Sequence, residues 1–359
     1  MIKNTIKETI AGFLLDHRPV YSLALQFGLC RIRVDTDCEP LRKKMTRYFA
    51  SFVTEASPWD IRVHAIETAP VPVSAPLTVK QPDPGKTKIK EEFHQFKDGL
   101  LVRKRLTGMV FLFGDGNNLA IGPCLSNDNQ VVNFIINRFI QWVLNDGALL
   151  LHAAAVSYQG KGLAVSGFSG MGKSTLALHI MNRGTTFASN DRLMVKQTNG
   201  RLSMIGVPKL PRINPGTILG NQRLLGIIPR EKQGDYLALP KDDLWLLEEK
   251  YDAYIDTLYG ENAFKLEAEL VGIVVLNWKR NSDPLNTGIV RLEFRTDLIP
   301  AFAKDPGLFY EPDDPAGAID FSQQAYLKLL EQCRIYEFSG GVDFEKAADA
   351  CFELLTNGS

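Results

Sequence analysis

The chain has 359 residues, 45% hydrophobic and 23% charged, a globular composition long enough for two domains and unlike that of a disordered or fibrous protein. Its 41 Lys and Arg balance 41 Asp and Glu, so no summed charge draws it to a nucleic-acid backbone or an anionic membrane, and a partner must be recognised at a local site. Five cysteines (Cys30, Cys38, Cys124, Cys333, Cys351) are odd in number and widely spaced, which fits a reducing compartment rather than a disulfide ladder or a zinc knuckle.

Met1–Phe13 sets Lys3, Lys7 and Glu8 among its apolar residues, without the apolar run of a secretory signal. The longest apolar stretches, such as Gly147–Val156 and Leu270–Leu276, fall well short of the ~20 residues of a membrane span. A cytoplasmic protein with no membrane partner is expected. Tyr21–Val34 reads as two extended runs, followed by a polar turn at Asp35, Thr36 and Asp37 and a helical pattern from Pro40 to Phe52. Asp60–Ile66 alternates as a short strand. From about residue 69 to 90 six residues (Pro70, Pro72, Pro76, Pro82, Pro84, Gly85) and a lysine cluster exclude a helix or a central strand, leaving a surface loop. That basic run lacks interleaved aromatics, so nucleic acid is not expected as a partner. Strand patterns return at Gly99–Arg105 and Met109–Phe113, and a turn at Gly114–Asn118 leads into Leu119–Ile121. A helix through Val131–Leu144 then ends at Gly147. Residues 1–144 are expected to form a smaller α+β accessory domain.

Residues 145–359 open with the apolar run Ala148–Val156, which holds one histidine, and a turn at Gly160–Gly162. Leu163–Ser166 reads as a buried strand, Lys173–Arg183 as a helix closed by Gly184, and Thr186–Ser189 as a strand expected to neighbour Leu163–Ser166. Asn199–Gly200 between apolar runs is a two-residue hairpin signal. A parallel α/β core with antiparallel additions, hence a mixed sheet, is expected. Trp245, Tyr251, Tyr254 and Tyr259 recur at roughly helical spacing between Asp242 and Gly260, as core or lid packing. Arg334–Phe338 and Phe344–Leu355 read as a closing strand and amphipathic helix.

Between the buried strand and its helix lies Gly167-Phe168-Ser169-Gly170-Met171-Gly172-Lys173-Ser174, which fits G-x-x-x-x-G-K-[ST]. Glycines permit dihedrals that let successive N–H groups converge on phosphate oxygens, and the helix N-terminus adds positive partial charge. Lys173 would neutralise β- and γ-phosphates, Ser174 would offer its hydroxyl to Mg²⁺, and Thr175 begins the anchoring helix. Binding of a nucleoside triphosphate follows.

Many P-loop NTPases hold Mg²⁺ with an acidic residue at the end of a downstream apolar strand, but Leu270–Leu276 ends in Asn277-Trp278-Lys279-Arg280. The first acidic residue at a strand end is Asp191. The block His152…Gly167-x-x-x-x-Gly172-Lys173-Ser174…Asn190-Asp191 resembles the catalytic core of HPr kinase/phosphorylase, a P-loop group akin to phosphoenolpyruvate carboxykinase. The resemblance covers about residues 150–195 and is closest to a divergent HPr kinase-related branch.

The resemblance implies an α/β fold with an HPr kinase-like mixed-sheet catalytic domain. It implies ATP and Mg²⁺ as cofactors, and transfer of the γ-phosphoryl group to a hydroxyl of a protein serine or a small metabolite. Asp191 would be general base and metal ligand beside Ser174, and His152 would orient Asp191 or touch phosphate. It also implies a possible homo-oligomer. Two features depart from the family: Asn190 stands where the first aspartate of an Asp-Asp pair is found, and Ser203–Arg212 replaces a glutamate-containing signature. These departures keep two alternatives open, a catalytically weak nucleotide-binding regulatory module and a simple ATPase. Lys209 and Arg212 flank a Pro-rich turn and Lys279 and Arg280 follow an apolar strand, so either pair is a candidate contact for an anionic substrate, against the bland reading of a solvated loop.

Overall fold

The computed structural model describes residues 4–55, 57–82, 87–281, 283–313 and 318–357. The centre of the Pro-rich segment, residues 83–86, lies outside them. Two compact units divide the chain: residues 1–145 with 306–318, and residues 146–305 with 319–359. Among the described residues no helix is long and apolar enough to cross a membrane.

In the first unit, α1 (Ile6–Asp16) precedes the hairpin of β1 (Tyr21–Phe27) and β2 (Cys30–Thr36), then α2 (Glu39–Tyr48) and β3 (Ile61–Glu67). The short edge strand β4 (Thr78–Val79) falls within the segment expected to be loop. It is followed by β5 (Glu91–Phe96), β6 (Gly99–Lys104), β7 (Val110–Gly114), β8 (Asn117–Gly122) and α3 (Asp128–Asn145). One eight-stranded sheet has the order β1-β2-β3-β8-β7-β6-β5-β4, with β2, β3 and β8 parallel. Strand alternation sorts its two faces. Val110 and Leu112 pack with Ile6 and Ile10 of α1, whereas Phe111 meets Phe134 of α3 at 4.9 Å between ring centroids.

The second unit begins with β9 (Leu149–Leu151), β10 (Ala153–Tyr158) and β11 (Lys161–Gly167), then α4 (Lys173–Met181) and β12 (Thr186–Ser189). The hairpin β13 (Leu193–Thr198) and β14 (Arg201–Gly206) turns through Asn199 and Gly200, both at positive φ. Short elements follow: β15 (Arg212–Ile213), α5 (Pro215–Leu219), α6 (Arg230–Leu237), α7 (Lys241–Leu246), β16 (Tyr251–Asp252) and α8 (Ile255–Tyr259). The unit closes with β17 (Glu267–Leu276), β18 (Leu285–Val290), α9 (Gln323–Leu329), β19 (Ile335–Gly340) and α10 (Phe344–Asn357).

A nine-stranded mixed sheet runs β12-β10-β11-β17-β14-β13-β9, with β19 on β17 and β18 on β19. The ten-residue β17 serves several partners: its start pairs with β14, and its apolar end runs parallel to both β11 and β19. The apolar run at 148–156 is two strands, not one. β9 joins β13 while β10 joins β11, and the chain changes partners at His152.

Two expectations require correction. β12 does not neighbour the strand of the glycine-rich loop. A tight turn through Gln159 and Gly160, both at positive φ, folds β10 onto that edge of β11, so β12 takes the outer edge of β10. Nor do Trp245, Tyr251, Tyr254 and Tyr259 share a helix. The chain leaves α7, forms β16 against β15, and only then enters α8, so the spacing of the aromatics is distributed over three elements.

Candidate active site

Sheet polarity gathers the site. β11 and β12 both run antiparallel to β10, with Ala153 opposite Ser166 and Ala155 opposite Ser189. The carboxyl ends of β11 and β12 therefore lie at the amino end of β10. The loop that follows Gly167, the residues Asn190 and Asp191, and His152 all emerge at this one edge. β17, parallel to β11, delivers Asn277 and Trp278 to the same edge.

The segment Gly167–Ser174 forms a bend that opens α4. Gly172 sits at φ 85°, and a Cβ there would stand 2.7 Å from the Phe344 ring, so both dihedral and space require glycine. Phe168, Ser169 and Gly170 are exposed at the tip, while Met171 is half-buried. Trp278, almost fully buried, donates its Nε1–H to the Met171 carbonyl at 2.9 Å and braces the loop from the end of β17. The buried Lys173 ammonium donates to the carbonyl oxygens of Gly167 (2.9 Å) and Phe168 (3.5 Å). Burial lowers the pKa of Lys173, the Asp191 charge opposes that shift, and Lys304 adds to it. The hydroxyls of Thr175 and Thr217 lie 2.8 Å apart, tying α4 to α5.

Opposite this loop stands an acidic and imidazole pair. His152 Nε2 lies 3.0 Å from Asp191 Oδ1, and Arg192 Nε lies 4.0 Å from Asp191 Oδ2. Burial raises the Asp191 pKa. The His152 hydrogen bond and the charges of Lys304, His152 and Arg192 outweigh it, and the carboxyl is held well below the usual carboxylate range. The backbone of His152 is fixed as well: its N–H donates to Phe302 O at 2.7 Å, and its carbonyl accepts from Ser166 Oγ at 2.9 Å.

The basic candidates divide. Lys209 comes to the site because Gly206, at the end of β14, passes so close to Ala188 that a Cβ would meet the Ala188 carbonyl oxygen at 1.9 Å. Burial lowers the Lys209 pKa, and Arg192, Asp191, Arg212 and Lys304 all act on it, the aspartate in the opposite sense. Arg212 lies further out, paired with Asp252 at 3.2 Å and more than half exposed. Lys279 is fixed by backbone pairing to Gly340 and Gly341, and Arg280 lies 3.9 Å over the Trp245 ring. Neither is among the main charges acting on Asp191, which come from Lys304, His152 and Arg192.

Two cations at this edge escaped the sequence reading. Arg192 follows Asp191 directly and carried a signal in its position. Lys304 carried none. It arrives because Ala303 bridges to Leu151 and the Lys304 N–H donates to the Leu150 carbonyl at 3.2 Å, laying this distant segment along β9.

Among the described residues no group of three or more His, Cys, Asp and Glu is arranged to hold a metal ion. Oxygen donors at this edge include the Ser174 hydroxyl, the Asp191 carboxylate and Asn190 Oδ1, which is buried without a hydrogen-bond partner among the described residues. This all-oxygen set fits Mg²⁺, a hard cation that keeps several waters and relies on substrate phosphates.

A glycine-rich strand-to-helix loop presents backbone N–H groups and a helix N-terminus at this edge, a geometry that suits an anion. No family model matches the chain. One curated protein, HPr kinase/phosphorylase of Exiguobacterium sp., is 36% identical over 87 residues, which span 24% of this chain and 26% of that protein. The solved structure of the HPr(Ser) kinase/phosphatase from Coxiella burnetii matches with a TM-score of 0.29 and 13% identity, covering 58% of this chain and 88% of that one. The chain is thus similar to HPr kinase/phosphorylase over 87 residues and divergent elsewhere, and the match spans about a quarter of that curated protein.

Proposed function

We propose that the second unit is an ATP-dependent phosphotransferase that moves the γ-phosphoryl group to a hydroxyl. The observation that carries this reading is the pairing of Asp191 with His152 at 3.0 Å, on the same sheet edge as the loop that holds Lys173. Loop amides and the start of α4 bind the polyphosphate, and Lys173 turns from the Gly167 and Phe168 carbonyls to the transferring phosphoryl group. Mg²⁺, when bound, would be held by Ser174 and Asp191 and would supply charge neutralisation on the phosphates. As the acceptor oxygen bonds to γ-phosphorus and the bond to the β,γ-bridging oxygen breaks, the hydroxyl proton passes to Asp191. The low proton affinity of Asp191 suits late transfer, because the acceptor oxygen becomes acidic only as it gains its bond to phosphorus. His152 holds the carboxylate in place.

The test is Asp191→Asn against wild type, with nucleotide binding and transfer measured separately. Label from γ-labelled ATP should reach an acceptor in a cell extract with wild type, and roughly 10²–10⁴-fold more slowly with Asp191→Asn at saturating nucleotide and Mg²⁺. Equal labelling by both proteins removes Asp191 as base. Tight nucleotide binding with neither labelling nor phosphate release identifies a regulatory module, and phosphate release without labelling identifies an ATPase.

A further inference from the structure

Beyond Lys173, three cations gather about one carboxylate. Arg192 is 4.0 Å from Asp191 Oδ2, Lys304 acts electrostatically on Asp191, and Arg192, Asp191 and Lys304 act on Lys209. Asp191 carries one negative charge and its Oδ1 is already engaged by His152, so it does not balance both lysines. Neither Lys209 nor Lys304 has a carboxylate within 4.0 Å among the described residues. All three side chains are at least partly buried. Packing like charges this way is unfavourable unless an anion joins them. Their placement is also built into the backbone. Lys304 is laid against β9, Lys209 follows the close approach of Gly206 to β12, and Arg192 stands between Asp191 and β13.

We infer that Arg192, Lys209 and Lys304 form the receiving site for a phosphate group on the acceptor, so that the molecule phosphorylated is a phosphate monoester with a free hydroxyl. The inference rests on the phosphotransfer reading of the same site. The nucleotide has its own partners in the loop amides, the start of α4 and Lys173. The three further cations suit a second, compact dianion, and the forked guanidinium of Arg192 matches phosphate geometry. An acceptor phosphate bound there sets a hydroxyl of the same molecule near Asp191.

Two measurements separate this inference from its foundation. In the first, protein saturated with Mg²⁺ and the non-hydrolysable analogue AMP-PNP, which fills the γ position, is titrated with inorganic phosphate. Phosphate should bind wild type and bind Lys209→Gln and Lys304→Gln about tenfold or more weakly. Unchanged AMP-PNP affinity and a melting temperature no lower than that of wild type would show that both variants are folded. In the second, γ-labelled ATP is offered with glycerol, glycerate, glycerol 3-phosphate or a serine peptide. Label should enter the phosphate ester in preference to the neutral polyol, the carboxylate and the peptide. Failure of phosphate to bind the AMP-PNP complex, equal binding by the variants, or labelling of any other probe as efficiently as the ester overturns the inference. If no probe is labelled, the titration decides it. Absence of labelled product from a whole metabolite and protein extract counts instead against phosphotransfer.

Discussion

His152 Nε2 and Asp191 Oδ1 meet at 3.0 Å although one precedes β10 and the other follows β12, because β12 lies on the outer edge of β10 and runs against it. The contact sets the proton affinity of the carboxylate. Burial alone would raise it, and the His152 hydrogen bond with the neighbouring cations reverses that effect. Replacing His152 with phenylalanine removes the donor and favours the protonated carboxyl. The acid limb of kcat/KM for phosphoryl transfer should therefore move to higher pH in His152→Phe. Glutamine, which can still donate, should restore part of the wild-type profile. Superimposable wild-type and His152→Phe profiles would dissociate the histidine from Asp191.

The brace between Trp278 and Met171 makes a separate prediction. Trp278→Phe preserves an aromatic ring beside Phe344, which Trp278 meets edge-on at 5.3 Å, but removes the donor to the Met171 carbonyl. An acceptor left without its partner costs about 1–3 kcal/mol. The loss falls on the loop, so KM for nucleotide should rise several-fold while kcat changes little. A fall in kcat with KM unchanged would contradict a bracing role.

The bend between β11 and α4 was visible in the sequence because its signals are local: one strand end, a few glycines and one helix start. The block that singled out His152 and Asp191 named two residues that the structure brings to 3.0 Å of one another. The sheet order was not visible, since sequence signals the strands β10, β11 and β12 but not which edge each occupies. That depended on the turn at Gln159 and Gly160 filling one side of β11. Lys304 was beyond reach for the same reason on a larger scale. Its place comes from pairing between β9 and Ala303 and Lys304, just after the 3-10 turn over Thr296–Ala301, and no spacing rule connects the two. The aromatic spacing at Trp245–Tyr259 misled because periodicity over a short span cannot distinguish a continuous helix from two helices separated by a strand.

Tyr326 holds that pairing together. Its hydroxyl donates to the Leu150 carbonyl at 2.6 Å and lies 3.2 Å from the Lys304 nitrogen. Burial pushes its pKa up to about 12, so the donor is retained throughout the neutral range. Tyr326→Phe should cost about 1–2 kcal/mol of unfolding free energy, measured by denaturant titration, and should weaken phosphate binding to the AMP-PNP complex without altering affinity for the analogue. Loss of analogue affinity in parallel would show that the tyrosine supports the whole edge rather than Lys304.

Lys209 carries the opposite relation between stability and function. Burial first, then Arg192, Arg212 and Lys304, hold its pKa below that of an ordinary lysine, with Asp191 only partly compensating. At neutral pH its charged form is therefore disfavoured in the folded protein relative to the unfolded chain. The penalty is fully present below the folded pKa and disappears as pH rises from there to the unfolded value near ~10.4. Lys209→Met removes that charge while keeping an unbranched side chain of similar reach. Without ligands, the variant should melt at a higher temperature than wild type at pH 7, and the gap should narrow as pH rises toward 10. Adding phosphate to the AMP-PNP complex should raise the melting temperature of wild type but not of Lys209→Met, because only the lysine gains an anionic partner. A variant that melts below wild type at pH 7 would mean that Lys209 is already neutralised within the fold, leaving no surplus charge for an acceptor phosphate to satisfy.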